Sequence, residues 1–128
     1  MEVNHMKEGI VLLGHGSRRE EANQEIHQMA KLIQERNPGG LYAVGFLSFG
    51  EPNIGDAAKA LIKQGVEKII LMPMFLVTGN HIKRDIPSRL MMLKTTYPDT
   101  VFVLAKHFGP HPGILDIVEE RIREAQAL

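Results

Sequence analysis

The feature that most constrains this chain is a regular alternation of short apolar runs with helical periods. Four runs, at residues 10–13, 41–49, 66–71 and 101–105, carry apolar residues at consecutive positions, interrupted by Gly45 and Ser48 in the second and by Glu67 and Lys68 in the third, rather than at every second position. A strand with one wet face alternates. A continuous run rich in Val, Ile and Leu reads instead as a strand buried on both faces, the mark of a parallel sheet. Between and after the runs, apolar residues recur at helical spacing: Ile26, Met29, Ala30, Ile33; then Ile54, Ala57, Ala58, Leu61, Ile62; then Ile82, Ile86, Leu90, Leu93; then Ile114, Ile117, Val118, Ile122. Each set places one apolar stripe on one helix. Asn37-Pro38-Gly39-Gly40 and Gly65 supply stops, and Pro98-Asp99 turns the chain into the last strand. The order βαβαβαβα requires crossover connections, which are right-handed. The expected fold is α/β: a single domain over residues 1–128 with a four-stranded, mostly parallel sheet flanked by helices on both faces, and a loose segment at 1–8.

Composition narrows the function. Fifteen basic and 15 acidic residues cancel, which argues against a basic grip on nucleic acid and against a polybasic membrane anchor. There is no cysteine, so disulfides, thiolate nucleophiles and cysteine-bound metal centres are excluded. A metal would rest on His, Asp, Glu or hydroxyl oxygen. The polar start lacks an apolar leader segment, and the longest apolar stretch, 69–77, is broken by Pro73, so a cytoplasmic protein is expected.

In an open α/β sheet, ligands bind beyond the carboxyl ends of the strands. The four exits read Gly14-His15-Gly16-Ser17-Arg18, Gly50-Glu51-Pro52-Asn53, Phe75 to His81, and His107 to Pro112; three of them carry histidine and the other a carboxylate. His15 stands between two glycines, which permit a tight turn and leave the ring unshielded. A turn alone does not need a bulky ring there. Ser17 is placed to cap the first helix, whose N-terminus attracts anions. Leu76 and Val77 lie beyond the strand yet are apolar, which suits a flat, greasy ligand beside His81. Thr78 or Asn80 could equally cap the third helix and leave His81 incidental. Glu51 reads as readily as a first-turn acid favoured by the helix dipole. His107 and His111 flank a Gly-Pro turn and read as structural or as lining of the mouth. His5 and His27 read as exposed, and Met91 and Met92 as core filling. The segment Gly14 to Arg19 lacks the third glycine of the dinucleotide fingerprint, and neither a Walker sequence nor a G-x-S-x-G elbow is present.

Three segments together resemble one known family. Leu13-Gly14-His15-Gly16-Ser17-Arg18, Phe46 to Ile54, and Pro73 to Pro87 with its Thr78-Gly79-Asn80-His81 centre resemble the motifs of the short CbiX-type sirohydrochlorin chelatases, and Gly109-Pro110-His111-Pro112 looks like their last loop. The resemblance implies ATP-independent insertion of a divalent metal (Co²⁺ or Fe²⁺, with Ni²⁺ also open) into sirohydrochlorin, for cobalamin or sirohaem biosynthesis. It implies no organic cofactor, the metal being a substrate, and a homodimer of short chains. It assigns His15 and His81 as metal ligands and catalytic residues, His15 also taking protons. Glu51 would be catalytic and in contact with substrate. Residues Leu76, Val77, Thr78, Gly79 and Asn80 would line the macrocycle.

One position departs from the family pattern: Ser48 stands where a second glutamate is common. Glu51, solvent or a partner subunit is then left to supply a third ligand. The chemistry suits imidazole, which titrates near neutrality and binds Fe, Co and Ni. The many carboxylates of sirohydrochlorin would meet Ser17 and Arg18, with Lys83 or Arg84 also placed to contribute. Two other readings stand beside this one: a tetrapyrrole- or metal-binding carrier without turnover, and, ranked low, a phosphohistidine enzyme, for which only Arg18 and Arg19 lie close to His15 in sequence.

Overall fold

A computed structural model describes residues 6–127, with the side chain of His81 outside the described set. Its elements are β1 (Glu8–Gly14), α1 (Glu20–Arg36), β2 (Tyr42–Phe46), α2 (Ile54–Lys63), β3 (Lys68–Pro73), α3 (Asn80–Thr96), β4 (Val101–Leu104) and α4 (Pro112–Gln126). The strands lie in the order β2-β1-β3-β4, and every neighbouring pair is parallel. Of the segment 1–8 expected to be loose, residues 1–5, His5 included, lie outside the described residues, and Glu8 already belongs to β1.

The register explains the continuous apolar runs. Val11 and Leu13 face α2 and α3, together with their sheet neighbours Ala43, Ile69, Leu71 and Phe102. That face meets Ile54, Ala57, Ala58 and Leu61 of α2 and Ile86 and Leu93 of α3, all buried. Each fully buried Leu or Ile contributes roughly 1.5–3 kcal/mol, so this layer carries most of the stability. Right-handed crossovers require α1 on the opposite face, because the chain moves outward from β1 to β2 and then reverses direction. There Leu12, Val44 and Phe46 are buried.

Four expectations need correction. The second run does not stay extended to residue 49: β2 ends at Phe46. Leu47 and Ser48 donate instead to the carbonyls of Gly14 and His15, and Phe49 takes a positive φ of 54°. Coverage of the second face is incomplete, since Val101 and Val103 are about 40% exposed. The apolar stripe of α4 is not core in the single chain: Ile114 is half-buried, whereas Ile117, Val118 and Ile122 are exposed. Met91 and Met92, expected as core filling, are also exposed.

Candidate active site at the carboxyl edge of the sheet

His15 follows the last residue of β1, the strand flanked by β2 and β3. Its side chain is exposed, with Nδ1 3.1 Å from the Gly16 carbonyl oxygen. The backbone beneath it is fixed. The Ser48 amide donates to the His15 carbonyl at 3.0 Å. Gly16 has φ +95°, and a Cβ there would lie 1.5 Å from the Ser48 carbonyl oxygen. A Cβ on Gly14 would lie 2.8 Å from the Phe46 ring. Both glycines are therefore demanded by close packing of the first and second strand exits, and the ring between them projects from a rigid shelf.

Ser17 does not cap α1. The helix begins two residues later with Arg19 at its N-cap, and Ser17 Oγ accepts the Arg19 amide at 3.0 Å in a turn ahead of it. Arg18 lies over the Phe49 ring, 4.7 Å from its centroid. The residue that holds this corner together is one the sequence reading passed over. Asn23, 3% exposed, is the one buried residue of α1. Its Oδ1 accepts the Ser17 amide at 2.9 Å, and its Nδ2 donates to the carbonyls of Ser17 at 2.8 Å and Phe49 at 3.3 Å. The available signal was its spacing: Asn23 falls three residues before Ile26 and seven before Ala30, on the apolar stripe, where a polar side chain must have buried partners.

Glu51 lies in the second exit, exposed, ahead of Pro52. Its carbonyl oxygen is 3.2 Å from His27 Nε2, so that nitrogen carries the proton of the hydrogen bond, a carbonyl being only an acceptor. His27 was expected on an exposed flank; it is half-buried, with its ring 5.6 Å from that of Phe46. Asn53 caps α2 by accepting the Asp56 amide at 2.8 Å.

The third exit presents Leu76 and Val77 to solvent, 57% and 76% exposed, while Phe75 behind them is buried. Neither Thr78 nor Asn80 caps α3: the N-cap is Gly79, without a side-chain bond. His81 occupies the first turn of that helix, and its side chain lies outside the described residues. In the fourth exit His111 is the N-cap of α4, its Nδ1 accepting the Gly113 amide at 2.9 Å, and His107 is half-buried nearby. Among the described residues no three His, Asp or Glu side chains converge to hold an ion. No helix there is long and apolar enough to cross a membrane.

Fold and site together define a class: an open parallel α/β sheet with histidines in three of its four strand exits. The model of the CbiX family matches residues 9–125, and the chain belongs to that family. It is similar to the sirohydrochlorin cobaltochelatase of Sulfurisphaera tokodaii, 35% identical over 91% of this chain and 92% of that one. It is also similar to the chloroplastic sirohydrochlorin ferrochelatase of Arabidopsis thaliana, 30% identical over 91% of this chain and 52% of that one. Among solved structures, the sirohydrochlorin chelatase SirB of Bacillus subtilis subspecies spizizenii in complex with cobalt superposes with a TM-score of 0.85 at 29% identity, over 93% of this chain and 51% of SirB. The chain thus spans about half the length of the Arabidopsis relative and of SirB.

Proposed function

We propose that this chain inserts a divalent metal, Co²⁺ or Fe²⁺ and in principle Ni²⁺, into sirohydrochlorin in the cytoplasm, without ATP or an organic cofactor. The observation that carries the reading is the rigid shelf at the centre of the sheet edge, which presents an exposed imidazole between the Glu51 exit and the apolar Leu76–Val77 exit.

Metallation removes two N–H protons from the macrocycle and delivers one dication, so two protons leave for each ion that enters. Neutral imidazole serves both halves of this exchange. His15 holds the incoming ion and then accepts a ring proton. His81, in the first turn of α3, is the second ligand. Two imidazoles leave coordination positions open, so the ion passes on to four ring nitrogens rather than being retained in a closed cage. Glu51 accepts the other proton. Leu76, Val77, Thr78, Gly79 and Asn80 lie against the face of the macrocycle, where burying apolar area contributes roughly 25 cal/mol per Å². Ser17 and Arg18 meet its carboxylates, Arg18 by a charge-assisted bond. A second copy of the chain completes the cleft by covering Val101, Val103 and the exposed stripe of α4; a relative twice as long, such as SirB, supports this.

The carrier reading is favoured by one feature, the hydroxyl of Ser48 in place of a carboxylate beside His15. Mixing catalytic amounts of protein with sirohydrochlorin and Co²⁺ or Fe²⁺ separates the two. Multiple turnovers by absorbance support the enzyme, with His15→Ala abolishing them while the fold persists. A spectral change that stops at one equivalent of protein establishes the carrier.

A further inference from the structure

Beyond the ends of β3 and β4 lies a cavity of about 610 Å³ whose described lining shares Thr78 with the macrocycle-facing loop and otherwise holds no residue of the proposed metal and proton steps. One wall is the start of α3, through Ile82 and Ile86; the floor is Leu104 and Phe108 of the last strand and its exit loop. The loop is preformed. The Phe108 amide donates to the Phe75 carbonyl at 3.1 Å, the Ala105 amide to Leu71 at 2.9 Å, and the His111 ring is held by the Gly113 amide. The ionisable side chains among the described lining are all basic: Lys83, Lys106, His107 and His111. An apolar floor under a wholly basic rim selects an amphipathic polyanion.

We propose that this cavity seats the carboxylate-bearing edge of the tetrapyrrole, with Lys83 and Lys106 as its grips; the inference rests on the chelatase reading above. Geometry supports the occupant. Parallel strands lie about 4.8 Å apart, so the fourth exit stands roughly 10 Å along the sheet edge from the His15 shelf. A macrocycle centred over the first and third exits extends its rim substituents to that place. Lysine acts as a point charge on a flexible stem, suited to carboxylates that must be held without fixing their orientation. The two lysines therefore set substrate affinity and leave the metal step to His15 and His81.

The test is the double variant Lys83→Glu/Lys106→Glu beside Lys83→Arg/Lys106→Arg. Both lysines are exposed, so the sheet and core are untouched. Metal-free sirohydrochlorin binding is read by absorbance titration, and KM and kcat by turnover with Co²⁺. The expected result is a tenfold or greater loss of sirohydrochlorin affinity and a matching rise in its KM in the glutamate variant. The KM for metal stays unchanged, and the arginine variant is restored. Unchanged sirohydrochlorin binding in the glutamate variant, with the wild type active, overturns this inference and leaves the chelatase reading standing. A shift in sedimentation of the glutamate variant without loss of pigment binding overturns it too, by assigning the cavity to contact between copies. If the wild type binds pigment but never turns over, the chelatase reading fails alone, and the binding titration still decides the role of the lysines.

Discussion

Asn23 brackets Ser17: its side-chain oxygen takes the Ser17 amide at 2.9 Å and its side-chain nitrogen gives to the Ser17 carbonyl at 2.8 Å. The same nitrogen reaches the Phe49 carbonyl, so one buried amide joins the loops that follow β1 and β2. Asn23→Ala leaves three backbone groups without these partners. An unsatisfied buried polar group costs about 1–3 kcal/mol, and water entering the gap recovers part of that. The expected loss is about 2–3 kcal/mol in urea unfolding, with a fall in metal insertion as the His15 shelf loosens. Asn23→Asp keeps the acceptor and faces two carbonyls with an anion, so it destabilises at least as much.

Gly16→Ala tests the shelf itself. At φ +95° a side chain is strained, and the Ser48 carbonyl would sit 1.5 Å from the new carbon. Backbone, not a flexible side-chain tip, has to move. The expected cost is about 2–4 kcal/mol, with the hydrogen bond from Ser48 to His15 lost. Circular dichroism should retain the sheet and helices while metal insertion falls by at least a hundredfold. A variant with wild-type activity would show that the spacing of the two exits does not matter to catalysis.

Phe49 is the reverse case. It is an exposed aromatic residue in left-handed backbone, with φ 54°. Its carbonyl is tied to Asn23 and its ring lies beside Arg18. The left-handed region costs a non-glycine residue about 1–2 kcal/mol, and an exposed cation–π contact returns roughly 0.5–1 kcal/mol. Phe49→Gly should therefore raise the unfolding free energy by about 0.5–1 kcal/mol. A lower urea midpoint would mean that the ring's packing outweighs the strain.

The architecture was legible because parallel strands buried on both faces and one-sided helices write different periods. The four strand exits were legible for the same reason: once the runs at 10–13 and 66–71 are strands, His15 and the 75–81 loop fall at one edge of the sheet. What stayed hidden depends on partners distant in sequence. The spacing of Asn23 marks a buried face but not the carbonyl of Phe49, 26 residues away, that completes its hydrogen bonds. Ser17 resembled a cap because capping chemistry is local, whereas the true start of α1 is set by where Asn23 pins the preceding turn. For α4, periodicity shows that one face is apolar without showing what covers it.

That last face yields a prediction about assembly. Val103 is 40% exposed on the outer sheet strand, and Leu115, Val118 and Ile122 line α4 at spacings of three and four, each about half exposed. An apolar strand face and an apolar helix stripe left uncovered in one subunit suit burial against a second copy. Val103→Glu would place a carboxylate inside such an interface. An unpaired buried charge costs about 3–5 kcal/mol, which weakens dimerisation by more than a hundredfold. In the single chain the site is already partly wet, so the monomer's fold is spared. Sedimentation equilibrium should show a concentration-dependent dimer for the wild type and a monomer for Val103→Glu at the same concentrations. A wild type that stays monomeric at high micromolar concentration, or a variant that still dimerises, excludes this face as the contact.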